Sequence, residues 1–176
     1  MKELNALIWL FPILFMFQDF EEIIMINPWK KKNEKYIHQM KEKNKYIPYP
    51  FTGSTASFSI GVLVEFIIIN MVCLVSYVNE DYIVWLGLFM GFFLHLFVHI
   101  LLTIRFKKYV PGITTSIIEI PICIFLLYKS EIFSLFTIKD LGISIISASL
   151  IVLFTVYILH KLMKNFNLWL QNYSMN

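Results

Sequence analysis

Charged residues, cysteine and glycine are all scarce in this chain. Of its 176 residues only 15% are charged and 58% are hydrophobic, and the mean hydropathy is +0.68. A soluble domain of this size needs a larger polar surface, so the composition indicates a polytopic membrane protein. The net charge of +3 comes from one lysine-rich stretch and is not spread over a binding face. We therefore expect no nucleic-acid partner.

The sequence motifs of several common enzyme classes are also absent. There is no glycine-rich phosphate loop, no Gly-x-Ser-x-Gly, no His-Glu-x-x-His and no Cys-x-x-Cys. Cys73 and Cys123 both lie in apolar runs, which predicts reduced packing residues and neither a disulfide framework nor a cysteine-based zinc site. The sequence gives these chemistries little support.

Five apolar runs are close to the roughly 20-residue length that a helix needs to cross a bilayer. They cover residues 4–26, 55–78, 82–104, 110–128 and 142–163. We therefore predict an all-α fold, a transmembrane helical bundle of about five spans that forms one integral membrane domain over residues 1–176. The lipid bilayer is its expected partner, and the cell membrane, crossed several times, is its expected location.

The charges between the runs predict an orientation. The 27–52 connection, predicted as a loop, is rich in lysine, and Arg105, Lys107 and Lys108 follow the third run. The 79–81 turn, Asn-Glu-Asp, is acidic. Because basic connections stay in the cytoplasm, we expect both lysine-rich connections and the C-terminus inside and the N-terminus outside.

An acidic pair, Glu21 and Glu22, lies within the first apolar run, with apolar sequence on both sides. A carboxylate in hydrocarbon costs roughly 2.5–3.5 kcal/mol even on the lenient insertion scale, so it normally faces a partner or a water-filled cavity. Gln18 precedes the pair by three and four residues, which predicts that all three side chains share one helix face. This run is therefore the strongest functional signal in the sequence.

The third run ends in a stripe of its own. His95 and His99 follow Gly87 and Gly91 at four-residue intervals. Small residues let membrane helices approach closely, and polar residues on the same face point into the bundle. Given the 1.5 Å rise per residue, the acidic pair and the two histidines fall in the cytoplasmic half of the membrane. We therefore expect a cavity that opens inward.

The same residues resemble the HXXEE-domain family of membrane proteins. Gln18-Asp19-Phe20-Glu21-Glu22 is similar to its His-x-x-Glu-Glu signature, and His95-Leu96-Phe97-Val98-His99 is similar to its Asn-x-x-x-His segment. Arg105 and the 109–115 segment, Tyr-Val-Pro-Gly-Ile-Thr-Thr, resemble its later Arg and Tyr-x-Pro-Gly-x-x-Thr. Two positions depart, since Gln18 replaces the signature His and His95 replaces Asn. The resemblance implies a small prokaryotic integral membrane protein with a suspected active site among these motifs and no assigned substrate or reaction.

Two chemical interpretations of the polar residues stay open. In one, a divalent metal ion binds Glu21, Glu22, His95 and His99. Histidines at i, i+4 on a helix can place two nitrogens on one ion, and carboxylates complete such a sphere. In the other, the same residues perform metal-free acid–base chemistry or proton-coupled transport.

We predict a membrane enzyme with an inward-facing polar site and a small-molecule or lipid substrate. The alternatives are a transporter or binding protein for a small solute or lipid, and a network that only packs helices together. Catalytic roles are predicted for Glu21, Glu22, His95 and His99, and substrate contacts for Gln18, Arg105, Thr115 and Glu119. The geometric expectation is that Glu21 or Glu22 lies within about 10 Å of His99 across a shared cavity, with Arg105 at its cytoplasmic rim.

Overall fold

The structure is a computed structural model that describes residues 2–43, 54–129, 134 and 136–175. Within these ranges the chain is all-α, with no strand, as the sequence predicted. The five helices are α1 (Lys2–Glu42), α2 (Thr55–Asn79), α3 (Ile83–Phe106), α4 (Ile113–Lys129) and α5 (Ile138–Met175). Their order follows the five apolar runs, but α5 ends at Met175 and so extends beyond the predicted end at residue 163.

The first helix is much longer than predicted. It has 41 residues, or roughly 60 Å at 1.5 Å per residue, whereas the predicted span ended at residue 26. The prediction of a loop over 27–52 is wrong for 27–42, which continue α1, and residues 44–52 lie outside the described ranges. Lysine and glutamate are good helix formers, so charge alone did not distinguish a loop from a helix here.

A small second core holds this helical extension in place. Trp29 and Met40 of α1 pack against Phe106 and Val110 at the end of α3 and the connection after it. The indole Nε1 of Trp29 also donates a hydrogen bond of 2.5 Å to the carbonyl of Tyr109. The basic end of α1 therefore lies against the connection between α3 and α4.

Two prolines, Pro12 and Pro28, lie inside α1. Proline has no N–H, so Pro12 leaves the carbonyl of Ile8 without its usual partner in the helix. The thiol of Cys73 on α2 fills this gap and donates to that carbonyl at 3.3 Å. Cys73 and Cys123 are both free and buried, so both thiols pack in the interior of the bundle.

The main core lies where all five helices meet. Its centre is aromatic, and Phe11 contacts Phe89 edge to face with ring centroids 5.3 Å apart. At Gly87 a Cβ would lie 2.3 Å from the carbonyl oxygen of Ser144, so α3 and α5 approach closely there. Gly91, one turn later, has open space where a Cβ would be. The predicted glycine stripe thus supports a helix contact at one end and leaves a void at the other.

The outer surface of the bundle is apolar on all five helices. Among the exposed large side chains are Ile24 on α1, Met71 on α2, Leu101 on α3, Phe125 on α4 and Phe154 on α5. Two of the described helices, α2 and α3, are long and apolar enough to cross a membrane.

Candidate functional site

One turn of α1 contains the acidic motif, and its side chains contact two different neighbours. Gln18 and Glu21 face the start of α4, whereas Asp19 and Glu22 face a cavity inside the bundle. Residues three apart lie on the same side of a helix, and each of these pairs has that spacing. The single face predicted for Gln18, Glu21 and Glu22 is therefore divided between two sites.

Glu21 caps the first turn of α4. Its carboxylate accepts hydrogen bonds from the backbone N–H of Thr115 at 2.8 Å and of Thr114 at 3.3 Å. It also accepts one from the hydroxyl of Tyr109 at 2.6 Å. The first N–H groups of a helix have no partner within the helix, and the helix dipole favours a negative charge beside them. The Glu21 carboxylate is thus engaged in holding α1 to α4.

Tyr109 lies on the connection between α3 and α4. Partial burial raises the pKa of its phenol above the ordinary value of 10.0, and the hydrogen bond to the Glu21 carboxylate raises that pKa further. Both effects favour the neutral phenol, which alone can donate its proton. Tyr109 therefore stays a donor to Glu21 throughout the neutral pH range.

Gln18 ties the same two helices together from a fully buried position. Its amide Nε2 donates to the carbonyl of Gly112 at 3.0 Å, and its Oε1 accepts from the hydroxyl of Thr115 at 2.6 Å. Both ends of the amide are thus used within the protein. Gln18 and Thr115, each predicted to contact substrate, contact one another.

His99 is held by the turn that precedes α4. Its ring Nδ1 lies 2.9 Å from the carbonyl oxygen of Pro111. A carbonyl only accepts hydrogen bonds, so we infer that Nδ1 holds the proton. The next residue, Gly112, has φ +87°, and a Cβ there would lie 2.5 Å from the His99 ring. Only glycine permits this backbone conformation together with so close an approach.

Glu22, His95 and His99 form a compact group, here called the histidine–glutamate cluster. Glu22 Oε1 lies 2.9 Å from His99 Nε2 and 3.7 Å from His95 Nε2, and the two Nε2 atoms are 2.9 Å apart. Glu22 and His99 are buried, whereas the His95 side chain is 52% exposed. The structure therefore brings a glutamate of α1 and His99 together, as the sequence predicted.

A partly open cavity of about 340 Å³ lies beside the cluster. Apolar and aromatic side chains from α1, α2, α3 and α5 form most of its wall. The ionisable side chains that line it are Asp19, Glu22, Glu65 and His95. The exposed surface of His95 belongs to this wall, so the cluster borders a space of ligand size.

A family model described as "protein of unknown function with HXXEE motif" matches residues 9–126. The chain belongs to the HXXEE family. The matched region includes the acidic turn of α1, both histidines of the cluster and the turn before α4. No curated protein and no solved structure matches this HXXEE protein.

The sequence predicted that Gln18 replaces the histidine of the motif. A neutral imidazole offers one donor and one acceptor, and a glutamine amide offers both functions as well. Gln18 uses its donor on Gly112 and its acceptor on Thr115. In this HXXEE protein the position can therefore join α1 to α4 without an imidazole.

Two further residues predicted to contact substrate lie away from the cavity wall. Arg105 is exposed in the last turn of α3 and is not among the described residues that line the cavity. Glu119 is fully buried on α4, and neither of its carboxylate oxygens has a hydrogen-bond partner within the described part of the chain. The structure does not group either of them with the histidine–glutamate cluster.

Asp19 and Glu65 line the cavity although neither was predicted as a site residue. Asp19 is 8% exposed and lies one turn before Glu22 on α1. Its three-residue spacing to Glu22 was a usable signal for a shared face. Glu65 lies four residues after Gly61 on α2, so the two share one side of that helix, and both line the cavity.

Proposed function

We propose that this HXXEE protein is a multi-pass membrane enzyme. Its cavity binds a small amphiphilic molecule or a lipid and presents it to the histidine–glutamate cluster. The observation that carries the proposal is the position of Glu22 and His95, whose polar side chains line a largely apolar cavity within the bundle. Ligand sites in proteins commonly combine apolar walls with a few convergent polar groups.

The apolar outer surface supports a membrane location. Monomeric soluble proteins rarely expose contiguous apolar patches above a few hundred Å², yet every helix here has large exposed apolar side chains. The helix α4, with 17 residues, is roughly 25 Å long and close to the roughly 30 Å of the hydrocarbon core. Five membrane spans agree with the exposed apolar side chains and with the length of α4. The positive-inside rule then places the basic end of α1 in the cytoplasm.

The cluster offers the parts of an acid–base centre. His95 exposes its ring to the cavity, where it can exchange a proton with a bound molecule. Glu22 lies 3.7 Å from His95 and can stabilise positive charge on that ring. His99 is fixed by Pro111 and so limits the positions open to the other two side chains. His95 and Glu22 are thus the proposed catalytic residues, and His99 is a positioning residue.

Metabolite and lipid profiles of cells that express the protein test this function. The wild-type chain and a His38→Gln variant should deplete the same compound, because His38 is exposed and remote in sequence from the cavity-lining residues. A His95→Gln variant, expressed and folded to the same extent, should leave that compound at the level of the vector control. Identical profiles for wild type and His95→Gln would rule out an enzyme that uses this cluster.

The position of the helices can be tested separately with single cysteines and an impermeant thiol reagent in intact cells. We expect labelling at position 80, in the acidic turn after α2, and none at position 35 in the basic end of α1. Labelling at position 35 would overturn the proposed orientation. A compound that crosses the membrane unchanged in vesicles with this protein would identify a transporter instead of an enzyme.

A further inference from the structure

We propose that the histidine–glutamate cluster binds a divalent transition-metal cation, for which Zn²⁺ is the best match. Glu22, His95 and His99 each offer one ligand atom, and these three atoms lie within 4.8 Å of one another. Two imidazoles and one carboxylate form a common catalytic zinc ligand set. The use of the cation in a reaction rests on the proposed function, whereas its binding is independent of that function and can be tested alone.

The first observation in favour of this site is the position of the proton on His99, which we infer to be on Nδ1. Nδ1 donates to the carbonyl of Pro111, so in the neutral ring the lone pair is on Nε2. Glu22 Oε1 and His95 Nε2 are each 2.9 Å from this atom. Metal-binding histidines characteristically donate their other ring N–H to a carbonyl or carboxylate, which fixes the tautomer in this manner.

Glu22 supplies the second, independent observation. It is 4% exposed, and its Oε1 accepts no hydrogen bond from any described residue although His99 Nε2 is 2.9 Å away. The His99 ring is therefore not oriented to donate a proton along the line to this oxygen. A buried carboxylate oxygen without a partner loses its hydration with no compensating interaction, and a cation among the three donors removes that cost.

Two of the three donor separations agree with a single ion. Two donors at about 2.0–2.1 Å from one metal, at angles between 90° and 110°, lie roughly 2.9–3.4 Å apart. Two of the observed separations are 2.9 Å, and the third, between Glu22 and His95, is 3.7 Å. A proton on His99 Nε2 could form a hydrogen bond with only one of Glu22 Oε1 and His95 Nε2. A metal ion could bind all three donor atoms at once.

The ion would keep a free coordination position on its cavity side. His95 and Glu22 line the cavity, whereas His99 closes the site from the side of α4. Catalytic zinc sites have three protein ligands and an open position, whereas structural sites have four protein ligands. With an ion bound, His95 and Glu22 would act as its ligands and no longer as the acid–base pair. The ion would then supply the chemistry, by polarising a carbonyl or activating a water molecule beside the bound molecule.

Cobalt titration of the purified full-length chain in lipid nanodiscs tests the site. Co²⁺ serves as the probe because tetrahedral Co²⁺ absorbs visible light, and elemental analysis of samples loaded with Zn²⁺ gives the stoichiometry. We expect one ion per chain, with an affinity on the order of 10–100-fold lower, or lower still, in Glu22→Gln and His95→Gln. The His38→Gln variant should bind as the wild type does.

His95→Gln is the decisive variant because its half-exposed side chain contributes less to the folded bundle than the buried His99 does. Absence of cobalt binding by the folded wild type, or equal binding by wild type and His95→Gln, would overturn the metal site. If metal binding fails while the compound is still depleted in cells, the proposed function survives without the ion. If the ion binds with no change in any compound, the metal site stands and the proposed enzyme does not.

Discussion

Glu21 and Glu22 are neighbours in the sequence, yet their carboxylates serve different parts of the bundle. Glu21 accepts the backbone N–H of Thr115 on α4 at 2.8 Å, and Glu22 lies 2.9 Å from His99 of α3. Successive residues of a helix point about 100° apart, so one turn of α1 can reach both helices. We therefore separate a structural carboxylate from a reactive one within the same motif.

Glu21→Ala should lower the stability of the bundle without removing metal binding. It deletes the cap of α4 and the acceptor for Tyr109, and loss of a helix cap typically costs about 0.5–2 kcal/mol. Thermal unfolding in a mild detergent measures the effect, with Glu34→Ala, an exposed glutamate on the same helix, as the matched control. Equal unfolding temperatures for the two variants would contradict the capping role.

Gly112→Ala should be strongly destabilising. The residue has φ +87°, and the new Cβ would lie 2.5 Å from the His99 ring and 2.7 Å from the Gln18 amide. Backbone strain of this kind costs about 1–3 kcal/mol, and displacement of His99 should also weaken cobalt binding. Gly142→Ala is the control, since nothing lies within 4 Å of its Cβ position. A Gly112→Ala variant as stable as that control would show that the turn is not constrained.

Gln18→His and Gln18→Leu should differ in stability. Histidine keeps a donor and an acceptor. Leucine removes two buried hydrogen bonds, to Gly112 and from Thr115, at about 0.5–1.5 kcal/mol each. Chemical unfolding should therefore rank wild type and Gln18→His above Gln18→Leu. If Gln18→Leu matches the wild type, the bridge between α1 and α4 contributes nothing to stability.

Tyr109→Phe should reduce stability by an amount that depends on pH only in the alkaline range. The pKa of Tyr109 is raised by burial and by Glu21. A raised pKa means that the stabilisation is fully present below the unfolded-state pKa of about 10. It is lost as the pH rises through the higher folded-state pKa. The difference in unfolding free energy between wild type and variant should be constant from neutral pH to about 10 and shrink above it. A difference that already shrinks below that pH would exclude the hydrogen bond to Glu21 as its source.

Hydropathy was sufficient to predict the all-α class and the order of the helices. It could not predict the extension of α1 beyond residue 26, because a lysine-rich stretch has the composition of a connecting loop. The extension depends on tertiary contacts, in which Trp29 and Met40 pack against Phe106. Such contacts join residues far apart in the chain and leave no local pattern.

The approach of Glu22 to His99 could be predicted because both side chains need partners in an apolar bundle. The sequence could not predict that Gln18 and Glu21 bind the start of α4, because that contact depends on where α4 begins relative to α1. Asp19 was not predicted as a site residue, although its three-residue spacing to Glu22 placed both side chains on the same side of α1. Spacing along one helix is thus visible in a sequence, whereas the identity of the facing helix is not.

The two prolines of α1 have a mechanical consequence. Each removes one backbone hydrogen bond, so the helix bends most easily near Pro12 and near Pro28, on either side of the acidic turn. We therefore expect the segment between them to tilt as one unit if α1 bends. A tilt of this segment changes the width of the cavity while the spacing of Asp19 and Glu22 along the helix stays constant.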